Sequence, residues 1–142
     1  MDLKIQLKDT ILNIRDGVLL KTDKGFIFEK HPNEDFYCVI GGRIQENESS
    51  ENAAKREVME EIGIEIKNIR LKAILESFFL MDEQKCHEIG FYYKCILNGN
   101  IKLPDNFYTL SKEKIKTVKI LPKIISQIID FKNDDIVHIV TD

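Results

Sequence analysis

Three glutamates, Glu57, Glu60 and Glu61, stand at positions i, i+3 and i+4. On a helix that spacing brings all three side chains to one face. Like charges held side by side repel, and nothing offsets the repulsion unless a positive species lies among them. A hard divalent cation is the natural partner, because Mg²⁺ takes carboxylate oxygens, waters and substrate phosphates, and Mn²⁺ favours the same oxygen ligands. Taken alone, the trio reads first as a solvated acidic helix face, since acidic helices are common. Its surroundings favour chemistry. Arg56 directly precedes Glu57, and Glu48 lies eight residues before Arg56. An arginine fork between carboxylates offsets part of their repulsion. Upstream, Gly41 and Gly42 are adjacent, and backbone without a Cβ can approach a metal or a phosphate closely.

From Gly42 to Ile64 the order is Gly-x5-Glu-x7-Arg-Glu-Val-x-Glu-Glu-x-Gly-Ile. With seven identities fixed, each at roughly 6% usage, a chance match at a given start is on the order of one in 10⁸ or rarer. The stretch resembles the signature of the Nudix hydrolases and fits it completely. The resemblance implies an α/β (α+β) fold, a mixed β-sheet sandwiched between α-helices. It implies a metal-dependent hydrolase that cleaves a pyrophosphate bond in a nucleoside diphosphate linked to another moiety. Mg²⁺, or Mn²⁺, is the implied cofactor. Glu57 and Glu61 match the firmest ligands, Glu60 a ligand or a supporting group, and the Gly41 carbonyl a further ligand. Glu48 and Arg56 match a pair that braces the loop against the helix, and Gly42 and Gly63 support the site. Arg43, just past the glycines, is a candidate for substrate phosphate. So is Arg15, near where relatives place a basic residue.

The family does not place its general base consistently. Here the candidates are Glu57, Glu76, Glu83 and Glu88. Glu88 is favoured as an additional ligand or base, because a strand places a carboxylate more reproducibly than a loop does. A nucleotide-sensing module on the same fold is the alternative to an enzyme, but such a module is expected to lose signature glutamates, and none is missing. The marks of the ADP-ribose, NADH and coenzyme A subfamilies are absent. A general MutT-like chain remains, with a nucleoside triphosphate or similar small nucleotide as the default substrate.

The elements that must position these residues follow from pattern. Ser49 or Ser50 is a good N-cap and Gly63 a good C′ residue, so the spacing predicts a helix over Glu51–Ile62. Ala54, Val58 and Ile62 form an apolar row beside the carboxylates. Thr10 to Leu20 and Phe26 to Phe28 read as a strand hairpin around Thr22–Gly25, and Phe36 to Ile40 as a third strand. Residues 1–9 alternate weakly, as an added edge strand. Glu65 to Phe79 makes one or two strands, Met81 to Cys86 a polar loop, and His87 to Leu97 a further strand. Asn98–Asn100 is a turn, and Phe107 to Leu110 a short strand. Pro122 opens a helix carrying Ile124, Ile125, Ile128 and Ile129, and Ile136 to Val140 is a last strand.

The 142 residues suit one domain over 1–142. Net charge is −3, which offers no global basic field for nucleic acid. No apolar run reaches membrane-spanning length. Cys38, Cys86 and Cys95 have no metal-type spacing and read as free thiols in a reducing cytoplasm. The expected partner is a small nucleotide, and a homodimer is compatible with the sequence.

Overall fold

A computed structural model describes residues 1–129 and 133–141. Its spine is β2 (Thr10–Thr22), two residues longer than the sequence pattern predicts. One edge of β2 pairs along almost its whole length with β7 (Gln84–Ile96), in parallel register from Thr10↔Lys85 to Lys21↔Ile96. The other edge is shared by three short antiparallel strands in succession. β1 (Lys4–Gln6) takes Ile11–Asn13, β5 (Ile40–Arg43) takes Arg15–Val18, and β3 (Gly25–Glu29) takes Leu20–Thr22. The weakly alternating N-terminus is therefore an added strand, as its pattern predicts.

Beyond β7 the sheet continues through β6 (Arg70–Met81), antiparallel, to β10 (Val137–Thr141), which runs parallel to β6. On the far side of β3 lie β8 (Phe107–Leu110) and β4 (Tyr37–Cys38), and β4 pairs with β9 (Ile120–Leu121). The sheet is thus mixed, as expected.

Three expectations need correction. Phe36 to Ile40 is not one strand. Tyr37–Cys38 pairs with β3, while Ile40–Arg43 crosses to β2 and carries Gly41 and Gly42 into a ladder. Met81 to Cys86 is not a loop. β6 and β7 run on to a two-residue turn at Asp82 and Glu83, both with positive φ (49° and 68°), the left-handed pair that a type I′ hairpin needs. The helix expected after Pro122 shortens, within the described residues, to α3 (Ile125–Ile128).

The signature helix α1 spans Ser50–Ile62. Ser49 is its N-cap and accepts from the Asn52 N–H at 3.1 Å. Gly63 ends it at φ 72°, where its N–H reaches the Met59 carbonyl, a left-handed cap that a Cβ would strain. Ala54, Val58 and Ile62 are buried against Val18, Leu20, Ile27, Ile40 and Tyr93. The Ser50 and Tyr93 hydroxyls hydrogen-bond at 2.6 Å and fasten the helix start to β7. The opposite sheet face is covered by α2 (Lys112–Ile115) and α3, with Leu19, Phe26, Phe28 and Tyr92 in a second core. Helices on both faces give the expected sandwich.

Candidate active site

Arg56 sets the geometry. Its Nε and Nη2 donate to the two oxygens of Glu48 at 2.7 and 2.9 Å, a bidentate fork. Nη2 also donates to the Arg43 carbonyl at 3.2 Å, and Nη1 to Glu57 Oε1 at 3.0 Å. Glu48 in turn accepts from the Gln45 N–H at 3.0 Å. One guanidinium therefore joins α1, the 45–48 loop and the end of β5. The Arg56 contacts hold the Glu48 carboxyl below its usual range. Glu48 and Arg56 thus tie the loop to the helix by hydrogen bonds.

Of the three signature glutamates, two turn inward. The Glu57 side chain is 12% exposed, and Glu60 is 56% exposed with only the edge of Arg56 as a partner, at 3.3 Å. Glu61 has a buried Oε2 with no hydrogen-bond partner. Burial, then the charges of Glu29, Glu57 and Asp16, push its carboxyl up to about 8. Burial also raises Glu57, against the pull of Arg56. A Cβ on Gly42 would lie 2.5 Å from Glu57 Oε1, so only glycine leaves room for that carboxylate. The Ile44 N–H bonds the Ile14 carbonyl. Antiparallel alternation from that bond points the backbone groups of Gly41 away from β2. Among the described residues β5 pairs with no second strand, so no ladder there takes the Gly41 carbonyl.

Sequence reasoning missed Asp16. It lies on β2 opposite Gly42, 3% exposed, with neither oxygen hydrogen-bonded. Burial first and Glu57 second push it up to about 7; the Gly42 amide lowers it slightly without completing a hydrogen bond. Glu29, on β3, was missed as well; its charge acts on Glu61, and His31 Nε2 stands 2.5 Å from its Oε1. No fixed offset from the signature marks either residue, since both arrive by strand pairing.

Arg15, Arg43 and Glu88 sit on the other sheet face, whereas Glu76, opposite Ile89, is on the α1 side. Arg15 and Arg43 are cross-strand neighbours. Arg43 Nε donates to the buried Asn13 at 3.0 Å, and Arg15 Nη1 stands 3.8 Å from Glu88. Alternation along β7 puts Glu88 opposite Phe91 and Tyr93, on the face away from α1. Glu88 therefore does not join Glu57 and Glu61. Glu76 hydrogen-bonds His138 at 2.5 Å, and Glu83 is fixed in the β6–β7 turn.

A model of the NUDIX domain matches residues 10–123. The chain belongs to the Nudix family. Curated proteins include a relative 30% identical over 104 residues, an 8-oxo-dGTP diphosphatase of Buchnera aphidicola subsp. Schizaphis graminum (strain Sg); the match spans 63% of this chain and 80% of the relative. Among solved structures, a MutT protein from Bacillus halodurans superposes with a TM-score of 0.75 at 16% identity, covering 89% of this chain and 86% of its own. The C. elegans Ap4A hydrolase gives 0.61 at 13% identity, covering 83% and 93%. Both share the fold. With its signature intact, the chain is a Nudix pyrophosphohydrolase.

Nudix hydrolases depend in general on a divalent metal, and the residues present suit one. Buried carboxylate oxygens without partners are costly unless a cation or a proton satisfies them. Among the described residues no three His, Cys, Asp or Glu side chains enclose an ion by themselves. A cation here would complete its shell with backbone carbonyl, water and phosphate oxygens, as Mg²⁺ ordinarily does.

Proposed function

We propose that this pyrophosphohydrolase works with Mg²⁺, or Mn²⁺, on a nucleoside triphosphate or similar small nucleotide. The observation that carries this reading is the pair of inward carboxylates, Glu57 and Glu61, set against the bare backbone of Gly41 and Gly42. Glu57, Glu61 and the Gly41 carbonyl would hold the cation, with Glu60 supporting from the rim. When bound, the cation neutralises phosphate charge and lowers the pKa of an attacking water.

The chain's own residues do the rest. Arg56 fixes Glu57 by its Nη1 bond while anchoring on Glu48, so the carboxylate is held before substrate arrives. Arg15 and Arg43 are adjacent on the sheet face away from α1, so they would meet phosphate only around the edge of β5, where two guanidiniums suit an anion. Glu88 orients Arg15, and Asn13 orients Arg43. The water's proton goes to a carboxylate of the site.

The 8-oxo-dGTP diphosphatase relative makes oxidised purine triphosphates the first compounds to test. Three free thiols, two of them buried, support a reducing, cytoplasmic setting. The deciding experiment is hydrolysis of a nucleotide panel (8-oxo-dGTP, ordinary triphosphates, dinucleoside polyphosphates, nucleotide sugars) with Mg²⁺, Mn²⁺ or chelator. Triphosphates should be cleaved only with metal, and Glu61→Gln should lose at least about 100-fold in rate. Full turnover in chelator, or by Glu61→Gln, would reject the reading.

A further inference from the structure

Asp16 is a buried carboxylate that the brace, the signature and the substrate arginines leave unexplained. It is almost wholly buried, and among the described residues neither Oδ1 nor Oδ2 has a hydrogen-bond partner.

Its position is fixed by the ladder. Asp16 is the Cα partner of Gly42 between β2 and β5. Residues directly opposite in an antiparallel pair project to the same face, with Cβ positions about 4.5–5.5 Å apart. The Cβ direction of Gly42 leads straight to Glu57 Oε1. Asp16 therefore leaves the sheet on the side of the Glu57 carboxylate, whose charge acts on it. Alternation agrees, since Val18 and Leu20, on the same face of β2, pack against Ala54, Val58 and Ile62 of α1. Two buried carboxylates from different elements, Asp16 and Glu61, each offer unpartnered oxygen to the same region.

We propose that Asp16 is a further carboxylate ligand of the divalent-metal centre, contributed by the strand floor beneath the signature helix. The proposal rests on the reading that Glu57 and Glu61 hold the cation. It gives the centre a ligand from β2, an element outside the signature. As placed, Asp16, Glu57 and Glu61 do not enclose an ion by themselves, so Asp16 would join a shell that backbone carbonyl, water and phosphate oxygens complete. Gly42 then has a second function: its missing side chain leaves the space through which Asp16 and Glu57 share an ion.

The test is Mn²⁺ titration of the metal-free chain, by calorimetry and by the electron paramagnetic signal of free Mn²⁺. Wild type, Asp16→Asn, Asp16→Ala and Glu61→Gln are compared. Expected are at least tenfold weaker Mn²⁺ binding in both Asp16 variants and a metal-free Tm a few degrees above wild type, as an unpaired buried charge is removed. Wild-type Mn²⁺ binding by the Asp16 variants, with binding lost in Glu61→Gln, overturns the Asp16 assignment alone. Wild-type binding by Glu61→Gln as well overturns the site reading beneath it. If neither Asp16 variant folds, Asp16 is a scaffold residue and the assignment is equally overturned.

Discussion

Stripping the metal should reverse the ordinary pH dependence of stability between pH 5 and 8. Asp16 and Glu61 have folded-state values raised to about 7 and about 8, from 3.8 and 4.5. A carboxyl raised in the folded state binds its proton more tightly there than in the unfolded chain. The stability it contributes is therefore full below its unfolded value and is lost as pH rises through its folded value. Glu57 is raised as well and acts in the same direction, whereas Glu48 is lowered and acts below that window. A tenfold difference in proton affinity between the folded and unfolded chain is worth roughly 1.4 kcal/mol. Discounted for solvent screening and for the repulsion the groups share, the combined loss from pH 5 to pH 8 is about 3–5 kcal/mol.

Divalent metal should return much of this at the alkaline end. A cation at a hundred times its dissociation constant adds about 2.7 kcal/mol, and at pH 5 protons compete for the same oxygens. The assay is urea unfolding of chelator-treated chain at pH 5, 6, 7 and 8, with and without Mg²⁺. Metal-free stability that rises from pH 5 to 8, or a Mg²⁺ effect equal at both ends, would refute the account of the buried carboxylates.

Arg56→Ala should cost about 2–4 kcal/mol in urea unfolding, because it leaves Glu48 and Glu57 without their partner; Arg56→Lys should not restore this, since an ammonium cannot form the fork. Gly42→Ala should lower turnover more than tenfold with little change in Tm, because its Cβ displaces the Glu57 carboxylate and not a core side chain. Glu88→Gln should raise KM a few-fold through Arg15 while kcat falls less than tenfold. A kcat loss on the order of 10²–10⁴ at unchanged KM would make Glu88 the general base.

The signature helix was legible because its chemistry and its packing obey one period. Glu57 and Glu61 face inward for the same reason that Ala54, Val58 and Ile62 do: all five lie at helical spacing on adjoining stripes. Its ends were legible because capping is local, and Ser49 and Gly63 act on residues within one turn. The β6–β7 turn was not legible. Asp82-Glu83 lacks the glycine or asparagine that usually marks two left-handed residues, so a tight hairpin has the pattern of a polar loop. Glu88 is a strand residue on the side opposite Phe91, as alternation predicts. Which side of the sheet α1 would cover is a property of the tertiary fold, and alternation alone leaves it open.

Asp16 shows the same limit where it matters most. In the sequence it stands before Gly17, within the stretch Thr10 to Leu20 that pattern reads as one strand. β2 runs straight through it, because β7 pairs with it on one edge and β5 on the other. What gives Asp16 its surroundings is the register Asp16↔Gly42, a pairing across 26 positions of chain that no local pattern encodes. The helix supplies its carboxylates by periodicity, and the sheet supplies its own by register. A signature can record only the first kind. Residues such as Asp16, which reach the cluster by pairing, must be sought among buried charges that lack partners.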